Sequence, residues 1–194
     1  MRFQPRFSIT PAVLKRVEAI AAWRERIQGA AVQVAWIPAL QKVRAVEAGE
    51  ALSVPARARR EVVNYFAALR HVEKQAARNR IAHEDVLRLH RIVAGEVMDQ
   101  GDAGRYRAMR VQVGEYMPPP PGEVPGLMLE LLEWWNDGAP VLSPVLSCAI
   151  VHYRFEAIHP FADGNGRTGR ALALWELYRR GFDTHHICSG RART

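Results

Sequence analysis

His159-Pro160-Phe161-Ala162-Asp163-Gly164-Asn165-Gly166-Arg167-Thr168-Gly169-Arg170 gathers a histidine, an acid, an asparagine, three glycines and two arginines into one short stretch. An apolar helical run ends at it and a second one leaves it, so it reads as a loop that opens a helix. Such a loop is a ready anion site. The first N–H groups of a helix have no intrahelical acceptor, and the helix dipole favours negative charge there.

Each residue type has a chemical reason to be present. Gly164 and Gly166 lack a Cβ, so the backbone can turn with positive φ and approach a phosphate. Asp163 is a hard oxygen ligand suited to a magnesium ion that bridges phosphates. Asn165 offers an amide donor to a phosphate oxygen. Arg167 and Arg170 lie three apart on the following helix and share a face, and their planar forks suit bidentate phosphate contacts. His159 takes a proton near neutral pH without an extreme pKa shift. Together these residues describe nucleotide phosphates held beside a base that activates an incoming hydroxyl.

The rest of the chain supplies the frame. Its 194 residues suit one domain with a real core, and 48% hydrophobic content excludes a disordered chain. The net charge of +7 comes from 27 basic residues, only three of them lysine, against 20 acidic ones. That balance suits acidic partners such as nucleotides. No nucleic-acid recognition helix is identifiable, so nucleic acid is not an expected partner. Cys148 and Cys188 make neither a disulfide framework nor a zinc site, and Cys148 reads as buried and reduced. There is no apolar run of signal or membrane-span length, and Met1-Arg2-Phe3-Gln4 reads as a cytosolic start. The expected location is cytoplasmic, with no membrane partner.

Apolar periodicity and capping signals predict helices over about 11–28, 39–47, 55–78 and 83–100, another from Val124, one from Pro144 to the loop, and one over 167–180. Thr10-Pro11 and Ser143-Pro144 are cap-plus-proline starts. Met109, Val111 and Val113 alternate with Arg110 and Gln112, which predicts a strand or small hairpin over 105–116. Pro118 to Pro121 reads as a stiff spacer. His71, His83, His90 and His152 read as ordinary helix histidines. His83 and His90 share a face without a third ligand, and His185-His186 are too close to chelate one ion. The fold class is all-α, a helical bundle with a small β-hairpin over the signature loop.

The quoted stretch resembles the signature of the Fic family, His-x-Phe-x-Asp/Glu-Gly-Asn-Gly-Arg-x-x-Arg, and meets every defined position of it. The resemblance extends through Gly104-Arg105-Tyr106-Arg107 and Pro118-Pro119 to Arg60-Glu61-Val62-Val63-Asn64-Tyr65. It implies a Fic-type bundle over 55–187, preceded by an N-terminal helical region at 1–54 and followed by a basic, disordered tail at 188–194. It also implies an enzyme that transfers AMP from ATP to a Tyr, Ser or Thr hydroxyl of a protein, releasing pyrophosphate. His159 would be the base. Asp163 would hold Mg2+ between the α- and β-phosphates, and Gly164, Asn165 and Gly166 would form the anion hole. Arg167 would contact the outer phosphates and Arg170 the γ-phosphate, with Gly169 counted among the nucleotide-binding residues. Phe161 would anchor the loop, while Val111, Gln112 and Val113 would form a flap that aligns the target by strand addition.

One family feature is not found. The inhibitory Ser/Thr-x-x-x-Glu-Gly/Asn helix, expected upstream of Arg60, has no match in residues 30–54, where Glu47 and Glu50 stand in the wrong context. Arg170 is then expected to be free of inhibition in cis. A small partner supplying the glutamate in trans and a homodimer are the assemblies the resemblance allows. Two alternatives stay open: a relative using another nucleotide or a phosphate donor, and a nucleotide-binding regulatory protein that no longer catalyses. The unaltered Gly-Asn-Gly-Arg favours AMP transfer.

Overall fold

The computed structural model describes residues 3–29 and 55–182. The helix expected over 39–47, the search for an inhibitory glutamate in 30–54, Cys188, His185-His186 and the tail at 188–194 lie outside the described residues.

Among the described residues six α-helices follow one another: α1 (Pro11–Gly29), α2 (Ala56–Gln75), α3 (His83–Ala94), α4 (Val124–Asp137), α5 (Pro144–Ile158) and α6 (Asn165–Arg179). Helix α6 is the axis of the bundle and packs on α5, α2 and α3, while α4 covers α5. This is why α6 has no polar face along most of its length. Ala171, Leu172, Leu174, Trp175 and Tyr178 are all buried, and small residues let its neighbours approach. Around it close Leu69 and Val72 of α2, Val86, Leu89 and Val93 of α3, Met128, Leu131 and Trp135 of α4, and Val151, Phe155 and Ile158 of α5. Glu176 lies fully buried in this core, where it accepts hydrogen bonds from Trp135 Nε1 and Ser147 Oγ, both at 2.6 Å. It also pairs with Arg180 at 3.2 Å.

Several helix starts follow from the sequence. Thr10 Oγ1 accepts the Val13 N–H at 3.3 Å. Asp85, in the first turn of α3, accepts the Ala82 N–H at 2.9 Å and pairs with Arg78. Helix α1 forms as expected, yet its apolar stripe does not enter the core: Leu14 and Trp23 are 50% and 60% exposed. Its last turns are tied instead to the end of α6, where the Arg24 guanidinium donates to the Gly181 and Phe182 carbonyls at 2.6 and 3.1 Å. Cys148 is half-buried, not enclosed. No described helix is long and apolar enough to cross a membrane.

Of the strand or small hairpin expected over 105–116, only a minimal hairpin turn forms. The segment is extended, but its only pairing among the described residues is one antiparallel bridge between Val113 and Tyr116, closed by hydrogen bonds of 2.9 and 3.0 Å around Gly114-Glu115. Alternating residues need a neighbouring strand to become a sheet, and the helical bundle offers none. What fixes this flap is Arg107. Its buried guanidinium donates to the carbonyls of Met109 (3.0 Å) and Pro119 (2.6 Å), one on each leg of the flap, and to His159 (2.8 Å). Tyr116 adds a bond from its hydroxyl to the Ala157 carbonyl at 2.8 Å.

Candidate active site

The signature loop is the turn between α5 and α6. His159 ends α5 in the left-handed region, at φ 49° and ψ 60°, and its N–H still closes on Phe155 at 2.9 Å. Few non-glycine residues take this conformation, and here the Arg107 bond to the His159 carbonyl helps hold it. Burial holds the His159 pKa below the ordinary histidine value. A hydrogen bond to the Glu156 backbone carbonyl opposes that shift, and the charge of Arg107 adds to it. The ring is therefore neutral at pH 7. The hydrogen bond to the Glu156 backbone carbonyl and the nearness of Nδ1 to the Glu156 carboxylate, at 3.9 Å, favour the tautomer with its proton on Nδ1 and its lone pair on Nε2.

Phe161 plugs the loop into the core with no exposure and stacks on His90, ring centroids 3.6 Å apart and planes within 2°. The Asn165 side chain closes the loop on itself: Oδ1 accepts the Phe161 N–H at 2.9 Å and Nδ2 donates to the Phe161 carbonyl at 2.8 Å. The Asn165 amide, expected to donate to a phosphate, is in this state committed to the loop's own backbone through Oδ1 and one of its two Nδ2 hydrogens. What remains for an anion is the backbone of the first turn of α6, where Asn165, Gly166 and Arg167 lack intrahelical acceptors.

Gly164 caps α6 at φ 75°, and its N–H donates to Asp163 Oδ1 at 2.6 Å. In this state that N–H orders the acid instead of facing an anion. Arg170 curls back over the same turn, its Nη1 3.4 Å from where a Cβ on Gly166 would sit. Gly169 is also reassigned. A Cβ there would stand 2.3 Å from Glu156 Oε1 and 3.1 Å from both His152 and Phe155, so this glycine permits the close packing of α5 on α6 and does not face the cleft.

Four charges form an alternating ring at the mouth of the loop. Glu61 Oε1 lies 3.5 Å from Arg57 and 3.6 Å from Arg167. Asp163 closes the circuit at 3.9 Å from Arg167 and 4.0 Å from Arg57. Arg57 is anchored behind by both oxygens of Asp99 and by the Val97 carbonyl at 2.9 Å. Arg167 is flanked by carboxylates, yet its Nη1 makes no hydrogen bond, so it is held by charge with donors unspent. The ring borders a cleft of about 490 Å³ that Arg110, Val111 and Gln112 of the flap line from the other side. Val113 is exposed beyond it.

The structure places His159, Asp163, Gly164, Gly166, Arg167 and Arg170, all expected from the sequence, around one loop. The sequence reading did not find His90, Arg107, Arg57 or Glu61. His90 is fully buried; its Nδ1 accepts the Gly104 N–H at 2.8 Å and its Nε2 meets the Asp163 carbonyl at 2.9 Å. Among these, only the Gly-Arg-Tyr-Arg run around Arg107 and the run containing Glu61 carried a signal, as parts of the wider resemblance.

A sequence model of the Fic/DOC family matches residues 80–177, a little over half of the chain. The chain is 36% identical over 130 residues to protein adenylyltransferase fic-1 of Caenorhabditis elegans, covering 65% of this chain and 25% of that protein. It is 43% identical over 103 residues to protein adenylyltransferase Fic of Drosophila melanogaster, covering 53% and 21%. The chain thus spans a quarter or less of the length of these curated relatives. Among solved structures, Fic-1 of C. elegans superposes with a TM-score of 0.74 at 25% identity, over 87% of this chain and 58% of that one. A Fic family protein from Desulfovibrio desulfuricans G20 gives 0.70 at 27%, over 96% and 62%. With the loop, the flap and the bundle axis all in place, the chain belongs to the Fic/DOC family.

Proposed function

We propose that this protein transfers AMP from ATP to a hydroxyl side chain of a target protein and releases pyrophosphate. The observation that carries the reading is the neutral His159 ring, with its lone pair free, beside a helix start guarded by two arginines. The activity named for the fic-1 and Fic relatives supports it.

In this reading His159 Nε2 takes the proton of the incoming hydroxyl. The oxygen bonds to the α-phosphorus as the bond from that phosphorus to its bridging oxygen breaks, and pyrophosphate leaves. The first-turn N–H groups of α6 hold the phosphate charge, Arg167 takes the outer phosphates and Arg170 the γ-phosphate. Positioning and charge stabilisation are the main contributions. The donor set also fits magnesium: Asp163 borders the cleft with Oδ2 4.0 Å from Arg57 and in no hydrogen bond among the described residues, and this ion commonly binds one or two carboxylates plus phosphates. Held by Asp163, it would neutralise charge between the α- and β-phosphates. The extended flap segment at 111–113 would take the target segment as an added strand.

In this reading Arg170 is free for the γ-phosphate, and inhibition, if any, comes in trans. The test is label transfer to lysate proteins from ATP tagged on the α-phosphate, beside γ-tagged ATP and a His159→Ala variant. Transfer of α-label alone, lost in the variant, is the expected result. Transfer of γ-label, or ATP binding without transfer, would overturn it.

A further inference from the structure

His90 is a buried titratable group with no part in the chemistry above, and the sequence shows it only as an ordinary helix residue. Its surroundings say otherwise. One ring joins three separate segments: α3, which carries it; the root of the flap, through the Gly104 N–H at 2.8 Å; and the signature loop, through the Asp163 carbonyl at 2.9 Å. Because Nδ1 accepts from a backbone N–H, it holds no proton. The proton is on Nε2, which donates to Asp163. The tautomer is fixed by these partners.

The consequence lies in the peptide plane between Asp163 and Gly164. His90 holds its carbonyl end. Its other end, the Gly164 N–H, holds Asp163 Oδ1 at 2.6 Å. A peptide plane turns as one unit, so fixing the carbonyl toward the core also fixes the N–H toward the carboxylate. If the plane flipped, a carbonyl oxygen would replace an N–H beside the phosphates, and the acid would lose its tether. Nothing local resists that flip, since Gly164 has no Cβ. The ring also bars a side chain from this point: a Cβ on Gly164 would meet Nε2 at 3.3 Å.

We infer that His90 is the positioning residue for Asp163, orienting its carboxylate through the 163–164 peptide plane while tying that plane to the flap root at Gly104. The inference rests on the adenylyl-transfer reading for its consequence but not for its geometry. A role of this kind is an outer-shell one, and such partners commonly govern metal affinity.

Two substitutions dissect the ring. His90→Asn places an acceptor where Nδ1 stands and removes the donor to Asp163. His90→Gln places a donor near Nε2 and removes the acceptor for Gly104. The affinity of each variant for a non-transferable α,β-methylene ATP analogue is measured by calorimetry, in Mg2+ and in EDTA. The expected result is that His90→Asn loses at least about tenfold of the metal-dependent affinity while its affinity in EDTA holds, and that His90→Gln recovers most of that loss. Equal loss in both variants, equal loss with and without metal, or wild-type behaviour of His90→Asn would overturn the inference. Nitrogen-15 NMR of the wild-type ring is a check that needs no variant to fold, and an Nδ1–H tautomer would overturn it. If the wild-type protein bound no nucleotide at all, the adenylyl-transfer reading would fail, while the ring's tautomer would still report on its own geometry.

Discussion

Replacing Arg107 with lysine keeps the charge and removes the fork. The three nitrogens of the guanidinium serve four carbonyls, Pro119 at 2.6 Å, His159 at 2.8 Å, Met109 at 3.0 Å and, more weakly, Ile158 at 3.4 Å. An ammonium has three hydrogens but only one nitrogen, so it reaches one of the three close carbonyls well and strands the other two. Each stranded buried carbonyl costs about 1–3 kcal/mol. With partial rescue by water, the expected loss is about 3 kcal/mol, or about 6–12 °C in Tm for a chain of this size. Urea unfolding at constant m would measure it. The damage should also be local to the site. Transfer to a protein target should fall by more than the affinity for ATP, because the flap legs lose their common anchor while the start of α6 does not. A loss under about 0.5 kcal/mol, the scale of ordinary surface changes, would refute the view that one guanidinium organises the flap.

Three further outcomes are expected. His159 must be neutral to accept a proton and its pKa is held below 6.5, so transfer should be flat at neutral pH and fall only on acidification, with its midpoint below 6.5; a midpoint above that value would remove burial as the controlling effect. His90 is held neutral, with a pKa of about 4 against 6.5 for a free ring, and burial is the main cause. Its stabilising contribution is then complete above pH 6.5 and is lost as the pH falls toward 4, worth about 3 kcal/mol; unfolding free energies across that window should slope less steeply in His90→Gln than in the wild type. Glu176→Gln turns an amide donor toward either the Trp135 N–H or the Ser147 and Arg180 donors, so it should cost about 2–3 kcal/mol, read from Trp135 fluorescence during urea unfolding; an unchanged midpoint would mean the buried carboxylate is not needed to satisfy its partners.

The helices were legible because their signals are local. Thr10 before Pro11, Pro144 at the first position of its helix and the acid at 85 each act within one turn. The signature loop was legible for the same reason. What escaped was set by distant parts of the chain. The partners of His90 are Gly104 and Asp163, and nothing near His90 announces either. The run over 105–116 has a strand's alternation, but pairing needs a second strand, and none lies beside it among the described residues. Gly169 and Asn165 show a third limit. A glycine that admits a neighbouring helix and one that admits a phosphate look alike, and an asparagine does not declare which backbone its amide will close upon. Helix α1 shows a fourth, since apolar spacing predicts the helix without saying that Leu14 and Trp23 stay outside the core.

The single guanidinium at the flap root has an evolutionary consequence. Because Arg107 clamps both Met109 and Pro119, the residues between them form a closed loop whose ends stay put whatever the tip does. Lengthening such a loop is cheap, about 0.6 kcal/mol for each doubling. The tip can therefore be rebuilt while His159 and the start of α6 keep their positions. If the proposed transfer holds, diversity in what is modified and constancy in how it is modified would be separated at one arginine.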